Sequence, residues 1–211
     1  MKKITSIEQQ KKNPHRFSIY IDDVYFLGID EDVLVKYSDK LAKGMEVDEE
    51  YLKDIVKAEE QSKANNCAIN QLSFKPRSIN EIRTKLKEKG YDDELIENSI
   101  EFLTKYGYLN DYEFAKALVK DKQNFKKAGK KLLQQELYKK GIDKTLAEQV
   151  ILENVDEQAE YERAREIAEK KVRTFGSNED KNSKYRKLSS LLMRKGYSYD
   201  IISKVIKEVL V

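Results

Sequence analysis

The chain has 211 residues and a mass of 24.7 kDa, with 41 Lys+Arg against 38 Asp+Glu, one His, one Cys, no Trp and two Pro. No stretch approaches the roughly 18 uninterrupted apolar residues of a membrane span. The opening Met1-Lys2-Lys3-Ile4-Thr5 runs into polar Glu8 to Lys12 instead of an apolar signal core, and a lone Cys67 supports neither an internal disulfide nor a Cys-rich zinc site. A reducing cytoplasm is the expected compartment.

Charged residues make up 37% of the chain and apolar residues 39%. That balance suits an elongated helical array, with much surface per residue, better than one thick core. The net charge of +3 hides an asymmetry: residues 1–60 carry 10 Lys+Arg and 14 Asp+Glu, net −4, while residues 61–211 carry 31 and 24, net +7. An anionic partner met at particular faces fits this distribution.

The first predicted elements are strands. Phe17, Ile19 and Ile21 alternate on one face, Asp22-Asp23 offers a two-residue turn, and Val24-Tyr25-Phe26-Leu27-Gly28 follows, which reads as a hairpin. Asp30 to Ser38 reads as a short helix. Asp48 opens another, with acidic residues where the helix dipole favours them. No Gly or Pro interrupts from there to Pro76, so this stretch is one long helix or two with a bend. The expected units are residues 1–50, a hairpin with a short helix, and repeats at 51–108, 109–155 and 156–211.

The repeat is carried by three strings: Leu86-Lys87-Glu88-Lys89-Gly90-Tyr91, Leu137-Tyr138-Lys139-Lys140-Gly141-Ile142 and Leu192-Met193-Arg194-Lys195-Gly196-Tyr197. Eight residues before each Gly stands Ile82, Leu133 or Leu188; five after stands Leu95, Leu146 or Ile201; ten after stands Ile100, Ile151 or Ile206. Apolar positions at −8 and −4 share a helix face. Cations then meet the negative end of the dipole, Gly ends the helix in the left-handed region, and Asp92, Asp143 or Ser198 starts the next one. Each copy is preceded by an amphipathic helix, at roughly 58–74, 110–125 and 156–174. Ser78-Ile79-Asn80-Glu81 is a capping box, and Asn110-Asp111-Tyr112-Glu113 offers a similar start. Three helices per copy define a mainly α fold, an elongated array of three tandem three-helix repeats. The third copy carries a polar insertion, Phe175 to Ser183, expected as a loop.

Enzyme chemistry finds little support. His15, beside Pro14, has no orienting partner near it in sequence. Cys67 reads as a small core residue. Neither a P-loop nor a Gly-x-Gly-x-x-Gly string occurs. No catalytic residue, metal ligand, cofactor or small-molecule substrate is expected. Tyr91, Tyr106, Tyr108, Tyr112 and Tyr138 are assigned by their helical spacing to packing between helices rather than to base stacking.

Cations are the more informative signal. Lys126, Lys127, Lys130 and Lys131 cluster with no acid among them, and Lys139 and Lys140 close the following helix. Lys170, Lys171 and Arg173 end another helix; Arg186, Lys187 and Arg194 mark the last repeat, and Arg77, Arg83 and Lys87 the first. Recurring at repeat positions, these residues would follow a phosphate backbone without reading bases.

Several strings carry a family resemblance. Ser73-Phe74-Lys75-Pro76-Arg77-Ser78 with Glu81 to Leu86 and Lys89-Gly90-Tyr91 resembles the opening of the RecX family's repeat region. Tyr106-Gly107-Tyr108-Leu109-Asn110-Asp111-Tyr112 is similar to its next segment, and Gly129 through Lys140-Gly141-Ile142 to its second repeat. Ile19-Tyr20-Ile21 and Lys43 to Asp48 resemble the extension of longer, Gram-positive-type members. The resemblance implies a non-enzymatic regulator of the RecA recombinase that binds the RecA–DNA filament and suppresses ATP hydrolysis, strand exchange and coprotease activity. It also implies contact with single- and double-stranded DNA. A stand-alone DNA-binding module and a helical-repeat protein adaptor are the alternatives.

Overall fold

The computed structural model describes residues 1–176 and 179–210. Of the insertion expected as a loop from Phe175 to Ser183, Ser177 and Asn178 lie outside the described residues, as does Val211, and Lys181 to Ser183 instead begin a helix that Asp180 caps. Two compact units form: Met1–Lys75 with Ile82–Tyr108, and Pro76–Glu81 with Leu109–Val211.

The first unit begins with strands β1 (Lys2–Gln10), β2 (Asn13–Ile21) and β3 (Val24–Asp30), then helix α1 (Glu31–Lys36) and strand β4 (Glu46–Val47). The strands make one antiparallel sheet in the order β3-β2-β1-β4. The expected hairpin is β2–β3, turned by Asp22 (φ 49) and Asp23 (φ 64), the paired positive φ that matches strand twist. β1 and β4 were not expected, and the bulge in β1 shows why. Ile4 pairs with Ile21 and Ile7 with Ile19, with a register shift between Ile4 and Ser6. The extra residue turns both isoleucines to the core, so the period-two signal is lost.

Helix α2 (Glu49–Phe74) is continuous for 26 residues and is capped by Asp48, whose side chain accepts from the Tyr51 N–H. Its first half covers the sheet, burying Leu52 and Ile55 with Ile4, Ile19 and Ile29. A buried ionic knot fixes sheet to helix. Glu59 is 1% exposed. It accepts from Arg16 Nη2 at 2.6 Å and from the Asp30 N–H at 2.9 Å. Arg16 also donates to Asp30 Oδ1 at 3.0 Å and to the Gly28 carbonyl at 2.8 Å. The second half of α2 packs on α4 (Asp93–Lys105), where Gln61 donates to the buried Ser99 hydroxyl at 2.9 Å. Cys67 is only half-buried, not the core residue expected.

Helix α3 (Ile79–Glu88) leads to α4; α5 (Asp111–Lys126), α6 (Lys130–Lys139) and α7 (Lys144–Asn154) form the second triplet; α8 (Glu157–Val172), α9 (Lys181–Arg194) and α10 (Tyr199–Val209) form the third. These make ten helices among the described residues. The repeat motif folds as its residues dictate. In all three copies the residue after Gly donates back to the Leu carbonyl: Tyr91 to Leu86 at 3.3 Å, Ile142 to Leu137 at 3.1 Å, Tyr197 to Leu192 at 3.2 Å. Asp92, Asp143 and Ser198 cap the next helices through their side chains, and the Ser78–Glu81 capping box closes reciprocally. One detail differs. The positions five after Gly (Leu95, Leu146, Ile201) are half-buried, whereas those six after (Ile96, Ala147, Ile202) are at most 1% exposed.

Candidate nucleic-acid interface

The Lys126–Lys131 cluster lies at a junction within the second unit. Lys127 closes α5 with φ 50, and the chain turns through buried Ala128 and Gly129 into α6. The turn of the third repeat seats against it. The Gly129 N–H donates to Lys195 O at 2.8 Å and the Lys131 N–H to Gly196 O at 3.0 Å. In return Lys195 Nζ donates to Lys126 O at 2.8 Å and the Tyr197 hydroxyl to Lys127 O at 2.7 Å. Burial pushes that hydroxyl's pKa up to about 12.

Acids distant in sequence meet these lysines. Glu160, 2% exposed, accepts from the Lys130 N–H at 2.7 Å and lies 3.9 Å from Lys130 Nζ, which also reaches Glu157 at 3.2 Å. Lys127 pairs with Glu166, which Lys170 also engages at 2.8 Å. The Lys127 hydrogen bond, then that of Lys170, pulls Glu166 to about 2. The start of α3 repeats the design against the second repeat's turn. Ser78 Oγ donates to Lys140 O at 2.6 Å, the Ile79 N–H to Asp111 Oδ1 at 2.9 Å, and Lys140 Nζ to Glu81 at 2.7 Å.

The remaining cations divide. Arg83 makes a two-pronged bond to Glu97 at 2.7 and 2.9 Å, holding that carboxyl below its usual range. Lys87 reaches Asp93 at 3.3 Å and Lys139 reaches Glu136 at 3.2 Å. Arg77 is half-buried just before α3. Among the described residues Lys126, Lys131, Lys171, Arg173, Arg186 and Arg194 make no ion pair.

Three of those six converge. Lys171 at the end of α8 and Arg186, Lys187 and Arg194 along α9 line one open groove of about 850 Å³, together with Phe175 and Met193. Lys171 Nζ stands 5.6 Å from the Phe175 ring centre. Among the described residues the groove has a single carboxylate, Glu179, which is held by Lys187 at 2.6 Å, a contact that lowers its pKa. Four cations therefore face one acid on an open surface, which suits the repeating charges of a phosphodiester chain. Sequence reasoning named the cations but missed Phe175, which the insertion displaces from the repeat register.

Elsewhere, His15 Nδ1 meets Glu31 at 2.9 Å on an exposed surface. Among the described residues no group of three or more His, Cys, Asp or Glu is placed to hold a metal. No helix there is long and apolar enough to cross a membrane. Tyr106, Tyr108 and Tyr138 are 61%, 56% and 41% exposed, not packed between helices as expected.

Comparison with known proteins assigns each part of this architecture. Residues 2–48 match the regulatory protein RecX N-terminal domain. The first, second and third three-helix domains of RecX match residues 64–103, 110–151 and 158–206. A regulatory protein RecX of Clostridioides difficile is 38% identical over 207 residues, covering 98% of this chain and 95% of the relative. One from Clostridium acetobutylicum is 36% identical over 208 residues, covering 98% and 95%. A crystal structure of regulatory protein RecX superposes with a TM-score of 0.83 at 27% identity, covering 99% of this chain and 100% of that one. RecX from Lactobacillus salivarius gives 0.67 at 32% identity, covering 72% and 97%. From the amino-terminal sheet to the last helix triplet, the chain belongs to the RecX family of regulatory proteins.

Proposed function

We propose that the chain regulates the RecA recombinase without catalysing a reaction of its own. It binds the RecA–DNA nucleoprotein filament in the cytoplasm and suppresses ATP hydrolysis, strand exchange and coprotease activity, with no cofactor and no small-molecule substrate. The observation that carries this reading is the end-to-end match to RecX regulatory proteins, all four domains included. The groove of Lys171, Arg186, Lys187 and Arg194 supports contact with DNA phosphates within the filament. Linked contacts from several repeats favour polymerised RecA over free subunits, because each bound repeat raises the effective concentration of the next.

The test is DNA-stimulated ATP hydrolysis by RecA, with this protein titrated from far below to equal the RecA concentration. Inhibition well below stoichiometry, with naked-DNA binding too weak to coat the template, supports a filament regulator that caps or disassembles. Inhibition only near stoichiometry supports blocking along the filament. No effect at any ratio refutes the reading and leaves a DNA-binding module, which the groove favours over an adaptor. Reversing Lys171, Arg186 and Arg194 to Glu is expected to weaken inhibition at least about tenfold, since three phosphate contacts are lost and repulsion replaces them.

A further inference from the structure

The first two repeats end their leading helix with a phenylalanine that the fold leaves available, whereas the third has one just past its helix, partly packed against its own core. Phe74 is the last residue of α2, Phe125 the next to last of α5, and Phe175 stands three residues beyond α8. Phe74 and Phe125 both lie 16 residues before their repeat glycine, and they are 80% and 83% exposed. Neither belongs to a core cluster. A single exposed aromatic needs no explanation. A ring at the same repeat position, each time beside cations, does.

The surroundings are those of a stacking platform. Phe74 is followed by exposed Lys75, Phe125 by exposed Lys126, and Phe175 sits in the cationic groove. The backbone beneath Phe125 is held on several sides. Lys126 O and Lys127 O accept from Lys195 and Tyr197, and the Lys127 and Ala128 N–H groups donate to Gln123 O and Lys122 O, each at 3.2 Å. The ring therefore has a fixed perch, and Lys126 makes no ion pair among the described residues. A flat apolar ring beside an unengaged lysine matches one nucleotide: base on ring, phosphate on ammonium.

We infer that Phe125, and Phe74 at the equivalent place in the first unit, stack unpaired bases, so that the chain prefers single-stranded to double-stranded nucleic acid. A duplex offers the same phosphates but keeps its base faces stacked inside, so the rings add nothing there. This inference rests on the DNA-contact part of the function proposed above and adds the class of strand recognised.

The chain has no Trp, so F125W introduces a single reporter at the platform. Saturating single-stranded oligonucleotide is expected to quench its emission, and a duplex of equal length to leave it unchanged. By fluorescence anisotropy at fixed salt, F125A is expected to lose about 5- to 150-fold in single-strand affinity, with duplex affinity and the salt slope retained. F74A is expected to lose in the same direction. Far-UV circular dichroism of F125A should match the parent, since no core cluster includes the ring. Equal losses on both nucleic acids, no loss on either, or an F125W emission indifferent to single strand would overturn the inference. A parent chain that inhibits RecA yet binds no single strand removes the stacking and keeps the regulator. Ring-dependent single-strand binding in a chain that leaves RecA untouched does the reverse.

Discussion

The three repeat glycines offer a graded test of the junction packing. All have left-handed backbones, with φ of +86 at Gly90, +74 at Gly141 and +86 at Gly196, but they meet different surroundings. At Gly90 an added Cβ finds nothing within 4 Å. Gly90→Ala should therefore cost only the left-handed penalty of about 1–2 kcal/mol, partly offset by a stiffer unfolded chain. At Gly141 the Cβ falls 2.4 Å from Asn80 Cβ and 2.5 Å from its Cγ and amide nitrogen; no rotamer moves a Cβ, so the start of α3 must shift, adding an overpacking cost of about 1–3 kcal/mol. At Gly196 it falls 2.2 Å from the Leu132 backbone nitrogen and 2.8 Å from Leu132 Cα. Backbone cannot rotate aside, so the start of α6 must move. That sacrifices the Gly129–Lys195 and Lys131–Gly196 hydrogen bonds, about 1 kcal/mol each, besides the overpacking cost of about 1–3 kcal/mol. Gly196→Ala should thus cost about 4 kcal/mol or more. Urea titration followed by far-UV circular dichroism is expected to rank the midpoints G90A, G141A, G196A, highest first. Trypsin should cut after Lys126, Lys127, Lys130 and Lys131 faster in G196A alone. Equal midpoints for G90A and G196A would refute the claim that the turn bears on the neighbouring repeat.

Three further outcomes are expected. Arg16→Ala leaves Glu59 charged, buried and short of its main partner, so the first unit should lose about 3–5 kcal/mol in thermal or denaturant unfolding; a loss under 1 kcal/mol would show the knot to be incidental. Glu166 has its carboxyl pKa lowered from 4.5 to about 2 in the folded chain. A depressed pKa means stability present above the unfolded value and lost as pH falls through the folded one, here between about 4.5 and 2. Glu166→Gln should flatten the stability profile in that window: its loss appears in full at neutral pH and vanishes as pH falls towards 2, where the parent's carboxylate is protonated as well. Tyr197 is shifted the other way, from 10.0 to about 12, so its contribution is complete below pH 10 and lost as pH rises towards 12. Tyr197→Phe should remove that alkaline dependence and cost about 1–3 kcal/mol at neutral pH, because the Lys127 carbonyl loses its donor.

Much of the helical architecture was legible because the signals were local. Apolar residues eight and four before a glycine, a cation or two, a glycine and a capping Asp or Ser fall within one short stretch, and each acts on its neighbours. Non-local features were not legible. The inward positions of the following helix are six and nine after the glycine, and in the first repeat the ninth is Ser99, polar yet buried because Gln61 reaches it from α2. No periodicity rule scores a serine as core. Strand β1 failed for a related reason: a bulge after Ile4 puts Ile4 and Ile7 on one face despite their odd spacing. The candidate site was named only as cations. That Lys127 and Lys130 meet carboxylates of α8, while Lys171, Arg186 and Arg194 make no ion pair among the described residues, depends on residues tens of positions away. The aromatic partner Phe175 lay hidden behind a register broken by the insertion.

The borrowed caps have a consequence for synthesis. The first N–H of α3 is satisfied by Asp111 of the second repeat, and that of α6 by Glu160 of the third. The first and second triplets thus each use a carboxylate that the ribosome has not yet delivered when the triplet itself emerges. Assembly from the amino terminus must run one repeat behind translation, with the second triplet finished only once α8 is free. A nascent chain stalled, or a gene truncated, before residue 156 would carry not merely two repeats of three but an unfinished second one.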